Sequence, residues 1–161
     1  MDYQSFIQSK IVRQKENLNY TLNQWRFKKK KIVFTNGCFD ILHRGHVEYL
    51  AKAAELGDKL IIGLNTDSSV RRLKGENRPV NNEEARAILL SSLIFTDKII
   101  LFEEDTPLQL INLIQPDVLV KGSDYQPEEI AGYDIVKTKG GEVITIELTK
   151  GFSTTSILKK I

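Results

Sequence analysis

The two histidines of this 161-residue chain lie three positions apart, inside Thr35-Asn36-Gly37-Cys38-Phe39-Asp40-Ile41-Leu42-His43-Arg44-Gly45-His46. If that segment opens a helix, residues three apart share one of its faces. A helix N-terminus offers free N–H groups and a partial positive charge to an anion. Two imidazoles there add donors, and Gly45 lets a flat ring or a phosphate come close to the backbone. The chemistry this favours is phosphate binding. A zinc site would need further soft ligands, and the chain has no other histidine and only one cysteine, Cys38. Two histidines satisfied structurally remain the bland alternative. The segment is neither Gly-x-Gly-x-x-Gly nor a P-loop, so it is not an ordinary dinucleotide or kinase loop.

The elements around the segment have to place it. Residues 31–36 form an apolar run rich in β-branched and aromatic side chains, which predicts a buried strand. Similar runs follow at 59–65, 98–102, 117–121 and 143–147. Helical stretches fall between them: 43–56, a short one after 65, and 81–93 with Asn81 and Glu84 in capping-box spacing. Another opens at Thr106-Pro107 and ends at Pro116, and a last one opens at Ser153. Ile7, Ile11, Leu18, Leu22 and Trp25 form one apolar stripe of an amphipathic helix over 4–27. Alternating short apolar strands and helices predict an α/β fold. The expected form is a Rossmann-like, doubly wound, five-stranded parallel sheet with helices on both faces, plus the N-terminal helix. Residues 1–30 form the helix and a basic segment, and 31–161 the main domain. In such sheets ligands bind outside the carboxyl ends of the strands, which points to residues following Asn36, Asn65, Phe102, Lys121 and Glu147.

Composition narrows the class. Hydrophobic residues at 41% and charged residues at 27% fit a globular domain and are too apolar for a disordered chain. A net charge of +2 is too small to argue for nucleic acid, although eight of the basic residues fall within 1–31 against two acidic ones. A solvated helix end accounts for that bias; RNA contact is its rival. One cysteine excludes an intramolecular disulfide. No apolar run approaches the ~18 residues of a membrane span and no signal-peptide pattern opens the chain, so a cytoplasmic protein is expected.

Thr35-x-Gly37-x-Phe39-Asp40-x-x-His43-x-Gly45-His46 resembles the signature of the His-x-Gly-His nucleotidyltransferases, and Gly151-Phe152-Ser153-Thr154-Thr155-Ser156-Ile157 fits their second signature. Three further segments, Arg72–Asn81, Phe102–Pro107 and Val120–Tyr125, look like the D-glycero-β-D-manno-heptose 1-phosphate adenylyltransferase branch. That activity is often one half of a bifunctional kinase and adenylyltransferase; the similarity covers about Lys31 to Ile161, so a stand-alone adenylyltransferase is expected. The resemblance implies in-line attack of a sugar 1-phosphate on the α-phosphorus of ATP, with Mg²⁺ as cofactor, pyrophosphate as leaving group, and a homodimer. No nucleic-acid or membrane partner is expected.

The resemblance and the positions after the strands together suggest roles. His46 would meet the α-phosphate and His43 the outer phosphates, with Lys74 closing over the triphosphate from a polar loop. Cys38, Phe39, Asp40, Gly45, Asp124, Ser153, Thr154 and Thr155 would complete the nucleotide site. Asn65, Asp67, Arg78 and Arg86 would bind the acceptor. Simpler roles compete: Ser153 and Asp40 as helix caps, Asp124 as a turn residue, Arg86 as a surface charge, Cys38 as a small buried side chain. Leu148 stands where glycerol 3-phosphate cytidylyltransferases, a related branch, carry an arginine; Lys150 is a possible substitute. Lys28–Lys31 precede the first strand and belong to the wrong end of the sheet for catalysis. Alternative functions are a cytidylyltransferase for a polyol phosphate, an adenylyltransferase making a flavin nucleotide, and a nucleotide-binding regulatory module without turnover.

Overall fold

Ile32-Val33-Phe34-Thr35-Asn36-Gly37 lies at the centre of a parallel sheet, where a strand has no solvent face and reads as an unbroken apolar run. The computed structural model describes residues 1–161, apart from the side chain of Lys15. Its six strands are β1 (Ile11–Val12), β2 (Ile32–Gly37), β3 (Lys59–Asn65), β4 (Lys98–Phe102), β5 (Val118–Gly122) and β6 (Glu142–Ile146). They lie in the order β1-β4-β3-β2-β5-β6, all parallel. The helices are α1 (Tyr3–Ser9), α2 (Lys15–Phe27), α3 (Arg44–Ala54), α4 (Asp67–Lys74), α5 (Glu83–Ser92), α6 (Leu108–Ile114), α7 (Tyr133–Thr138) and α8 (Thr154–Leu158).

Side chains alternate across a strand, and two cores result. Ile32, Phe34 and Ile61 pack with Leu18 and Leu22 of α2 and Ile111 and Ile114 of α6. Val33, Leu60, Ile62 and Leu64 pack on the other face with Tyr49 and Leu50 of α3 and Leu90 of α5. Each fully buried aliphatic side chain is worth roughly 1.5–3 kcal/mol. Leu22→Ala would therefore cost about 2–5 kcal/mol through lost transfer energy and a cavity.

The N-terminal segment departs from the single helix expected over 4–27. It forms α1, then β1, then α2. Ile11 and Val12 are β-branched and take an extended conformation, pairing with Ile99 and Ile100 of β4. The Ile99 N–H donates to the Lys10 carbonyl at 2.9 Å. The apolar stripe is therefore split: Ile11 joins the α3 side of the sheet, Leu18 and Leu22 the opposite side. β1 also covers what would otherwise be an open β4 edge. Lys10 is not a solvated charge. It is buried, its ammonium donates to the Leu93 carbonyl at 3.1 Å, and burial lowers its pKa.

Three smaller differences concern helix ends. Asn82, not Asn81, caps α5, accepting from the Ala85 N–H. Thr106 caps nothing: Pro107 holds the N-cap position of α6 and makes no side-chain cap bond. α7 has no strong pattern of its own, yet parallel β5 and β6 need a crossover between them.

At the carboxyl ends the sheet divides. β2 stays paired with β3 as far as Gly37, and β5 with β6 as far as Gly122. β2 and β5 pair through Val33↔Val118 and Phe34↔Leu119. The chain order also reverses between these two strands, which is where this architecture opens a ligand crevice.

Candidate active site

His43 is the N-cap of α3, with extended backbone, and its Nδ1 accepts from the His46 N–H at 3.3 Å. The His43 and His46 rings stack with centroids 3.7 Å apart. Gly45 makes this possible, because a Cβ there would lie 3.1 Å from the His43 ring and 3.2 Å from Phe152 Cβ. The flat ring that Gly45 admits is thus His43's own. Phe39 is held in the left-handed region at φ 44° and turns its ring edgewise to His46 at 5.3 Å. Burial, then the proximity of His43 and Lys74, pulls the His46 pKa down to about 4; burial also lowers that of His43. His46 Nδ1 and Asn36 Oδ1 are buried without a hydrogen-bond partner among the described residues.

These groups border a cleft of about 360 Å³ at the parting of β2 and β5. The structure brings most of the expected residues to it: Cys38, Phe39, Asp40, His43, Gly45, His46, Lys74, Arg78, Asp124, Ser153, Thr154 and Thr155. Lys74 is exposed at the end of α4, next to Gly75 at φ 103°. The Ser153 hydroxyl does cap α8, accepting from the Ser156 N–H at 3.0 Å in a capping box. The Cys38 thiol is half-buried, 3.8 Å from Asn65 Oδ1, and burial raises its pKa, so it is no activated nucleophile.

Asp40 does not cap α3. Its buried carboxylate accepts from the N–H groups of Val80 and Asn81 and from Arg78 Nε at 2.6 Å. Burial pushes the Asp40 carboxyl up, but these donors outweigh it and hold its pKa below the usual range. Asp40 thereby ties the 78–81 loop to the histidine segment and fixes Arg78 at the cleft wall.

Asn65, Asp67 and Arg86 do not line the cleft, contrary to expectation. Arg86 is fully buried rather than a surface charge. Its guanidinium donates to the carbonyls of Cys38, Asn65 and Asn81 and to the Asp67 carboxylate at 2.7 Å. Asn65 is buried as well, donating to Ser69 Oγ at 3.0 Å. A buried guanidinium needs this many acceptors. The network braces the turn after β2 against the end of β3.

Other residues reach the cleft without a spacing signal. Lys121 of β5, Asn36 of β2, Tyr49 of α3 and Thr149 line it, as does Leu148, while Lys150 does not. Tyr49 shares a buried 2.8 Å hydrogen bond with Thr35. Only their position at strand ends in a doubly wound sheet could have marked Asn36 and Lys121. Lys29, Lys30 and Lys31 border a separate hollow with Asp117 and Glu142, at the amino ends of β2 and β6. Among the described residues no cluster of three or more histidine, cysteine or acidic side chains could hold a metal ion. None of the helices described is long and apolar enough to cross a membrane.

Residues 34–160 match the cytidylyltransferase-like family. The chain belongs to that family. It is 61% identical over 133 residues to the bifunctional protein HldE of Campylobacter concisus, covering 83% of this chain and 27% of that protein. With the HldE of Nitrobacter winogradskyi it is 54% identical over 153 residues, covering 95% of this chain and 31% of that one. The chain thus spans about three tenths of the length of these curated relatives. Among solved structures, the lipopolysaccharide core biosynthesis protein of Thermoplasma volcanium superposes with a TM-score of 0.60 at 28% identity, covering 76% of this chain and 99% of that one. The pantoate-beta-alanine ligase of Francisella tularensis superposes with a TM-score of 0.59 at 16% identity, covering 92% and 75%, and shares the fold. In this cytidylyltransferase-like chain the matched region begins within β2 and takes in both ends of the cleft.

Proposed function

We propose that this cytidylyltransferase-like chain is an adenylyltransferase joining ATP to D-glycero-β-D-manno-heptose 1-phosphate, giving ADP-heptose and pyrophosphate. The observation that carries the reading is the stacked His43–His46 pair at the α3 N-terminus, beside unpaired lysines in a cleft at the sheet's switch point. The choice of heptose rests on the resemblance of Arg72–Asn81, Phe102–Pro107 and Val120–Tyr125 to that branch. The likeness to a lipopolysaccharide core biosynthesis protein agrees with it.

A phosphate oxygen of the sugar attacks the α-phosphorus, a new O–P bond forms, and the bond to the β-phosphate oxygen breaks with pyrophosphate as leaving group. The nucleophile is already an anion, so no general base is needed. Catalysis then consists of positioning and of donors aimed at developing charge. His46, neutral at pH 7 with a pKa of about 4, donates one N–H to the α-phosphate. His43 and Lys74 meet the outer phosphates, with Ser153, Thr154 and Thr155 across the cleft. Arg78, held by Asp40, faces the acceptor phosphate. Mg²⁺ carried in by the nucleotide would offset the negative charge of its phosphates. This fits a cleft whose carboxylates are Asp40, already engaged, and Asp124. Homodimer assembly, implied by the resemblance, and a cytoplasmic location, expected from the sequence pattern, belong to the same reading.

Pyrophosphate release tests it, with four nucleoside triphosphates screened against sugar phosphates, polyol phosphates and flavin mononucleotide. The proposal expects ATP with heptose 1-phosphate to lead; CTP with a polyol phosphate leading would replace it.

A further inference from the structure

We infer that Lys121 binds a phosphate oxygen of the nucleotide from the β5 side of the cleft. The inference rests on the nucleotidyltransferase reading and adds a contact that neither histidine segment nor loop provides. Three flexible cations line the cleft: Lys74, Arg78 and Lys121. Arg78 is committed to Asp40, and Lys74 sits on an exposed helix end. Lys121 alone rises from a strand, half-buried at the carboxyl end of β5, where β5 has parted from β2.

Its ammonium has no carboxylate or carbonyl partner among the described residues. The Tyr125 ring lies 5.2 Å away, and the Asp124 carboxylate acts on it at longer range. An ammonium drawn out of water without an acceptor is a liability in the free protein. Burial accordingly lowers its pKa, against the opposing pull of Asp124. A phosphate oxygen would supply the missing acceptor, and a charge-assisted bond is stronger than a neutral one.

Placement sets Lys121 apart from the other two cations. Lys74 and Arg78 approach from the β3 side, on α4 and the loop that follows it. Lys121 lies with Asp124 and Tyr125 on the β5 side. Cys38, which follows β2, lines the cleft together with Lys74 at the end of α4 and Lys121 of β5, and β2 lies between β3 and β5 in the sheet. A phosphate beside Cys38 has a free cation on either side.

The test is calorimetric titration of the full chain with ATP in the presence of Mg²⁺ and, separately, with adenosine. Lys121→Met keeps the length of the side chain and removes the charge; Lys121→Gln is a second neutral variant if the first misfolds. The expected result is ATP binding weakened ~10-fold or more in both, by loss of one charge-assisted bond. Adenosine binding should be unchanged, Lys121→Arg should recover most of the ATP affinity, and the melting temperature should hold. Unchanged ATP affinity in a folded neutral variant would overturn the inference, as would an equal loss for adenosine, which would make Lys121 part of the nucleoside pocket. A wild-type protein that binds no ATP would overturn the nucleotidyltransferase reading and this inference with it.

Discussion

The imidazoles of His43 and His46 stack nearly parallel, with 18° between their planes, while the His43 ring also accepts the His46 backbone N–H. Each function limits the other. A stacked pair cannot readily hold two charges, and a capping Nδ1 must stay unprotonated to accept.

This arrangement predicts a pH response. His46 has its pKa lowered to about 4 from 6.5, chiefly by burial. The unfolded chain therefore binds a proton that the folded chain refuses. Stability from this group is present above pH 6.5 and is lost as pH falls toward 4, by at most about 3 kcal/mol. A bound phosphate favours the charged ring, so nucleotide should raise the His46 pKa. Titrating the ring by NMR with and without ATP checks both; a free-state pKa at or above 6.5, or no rise with ATP, would contradict them.

His46→Ala should fold and lose turnover. Removing one preorganised donor to developing charge typically costs ~10²–10³ in rate. Steady-state pyrophosphate release measures it, with circular dichroism as the control for folding. Near wild-type turnover in the folded variant would remove His46 from the mechanism.

Asp40→Ala should destabilise the protein more than Arg78→Ala. It strips the acceptor from two backbone N–H groups and a guanidinium, and breaking such a buried pair costs about 3–5 kcal/mol. Arg78→Ala removes one donor of several, yet it should raise KM for the acceptor. Denaturant midpoints and kinetics on both variants decide this; equal stability losses would mean that Asp40 does not organise the loop.

Deleting residues 1–13 should lower the melting temperature and promote self-association. The deletion takes away Ile11, buried in the core, and uncovers the β4 edge. Unchanged melting and unchanged mass in solution would show that β1 is dispensable.

The main strands were legible because each is a short apolar run; the reversal of order between β2 and β5 shows only in the strand pairing. The N-terminal region was not. Ile7, Ile11, Leu18 and Leu22 satisfy a helical period, and nothing in that spacing reveals that Ile11 pairs with Ile99. The histidine segment stood out by its spacing, but His43 as cap and stacking partner depends on backbone angles. Asn65 ends β3, Asp67 opens α4 and Arg86 lies on α5; none of the three lines the cleft, because the Arg86 guanidinium gathers the acceptors around itself. Position along a strand indicates which end a residue occupies; the direction of its side chain is settled by packing.

The pairing of ATP with a heptose 1-phosphate is read from kcat/KM for that pair set against CTP with glycerol 3-phosphate. A site built to bond hydroxyls rejects an analogue lacking them, because its own polar groups are left unpaired. Polar residues lining the cleft include Asn36, Arg78, Asp124 and Thr149. A preference of at least ~10²-fold for ATP with heptose 1-phosphate is expected. A preference for CTP with glycerol 3-phosphate would contradict it.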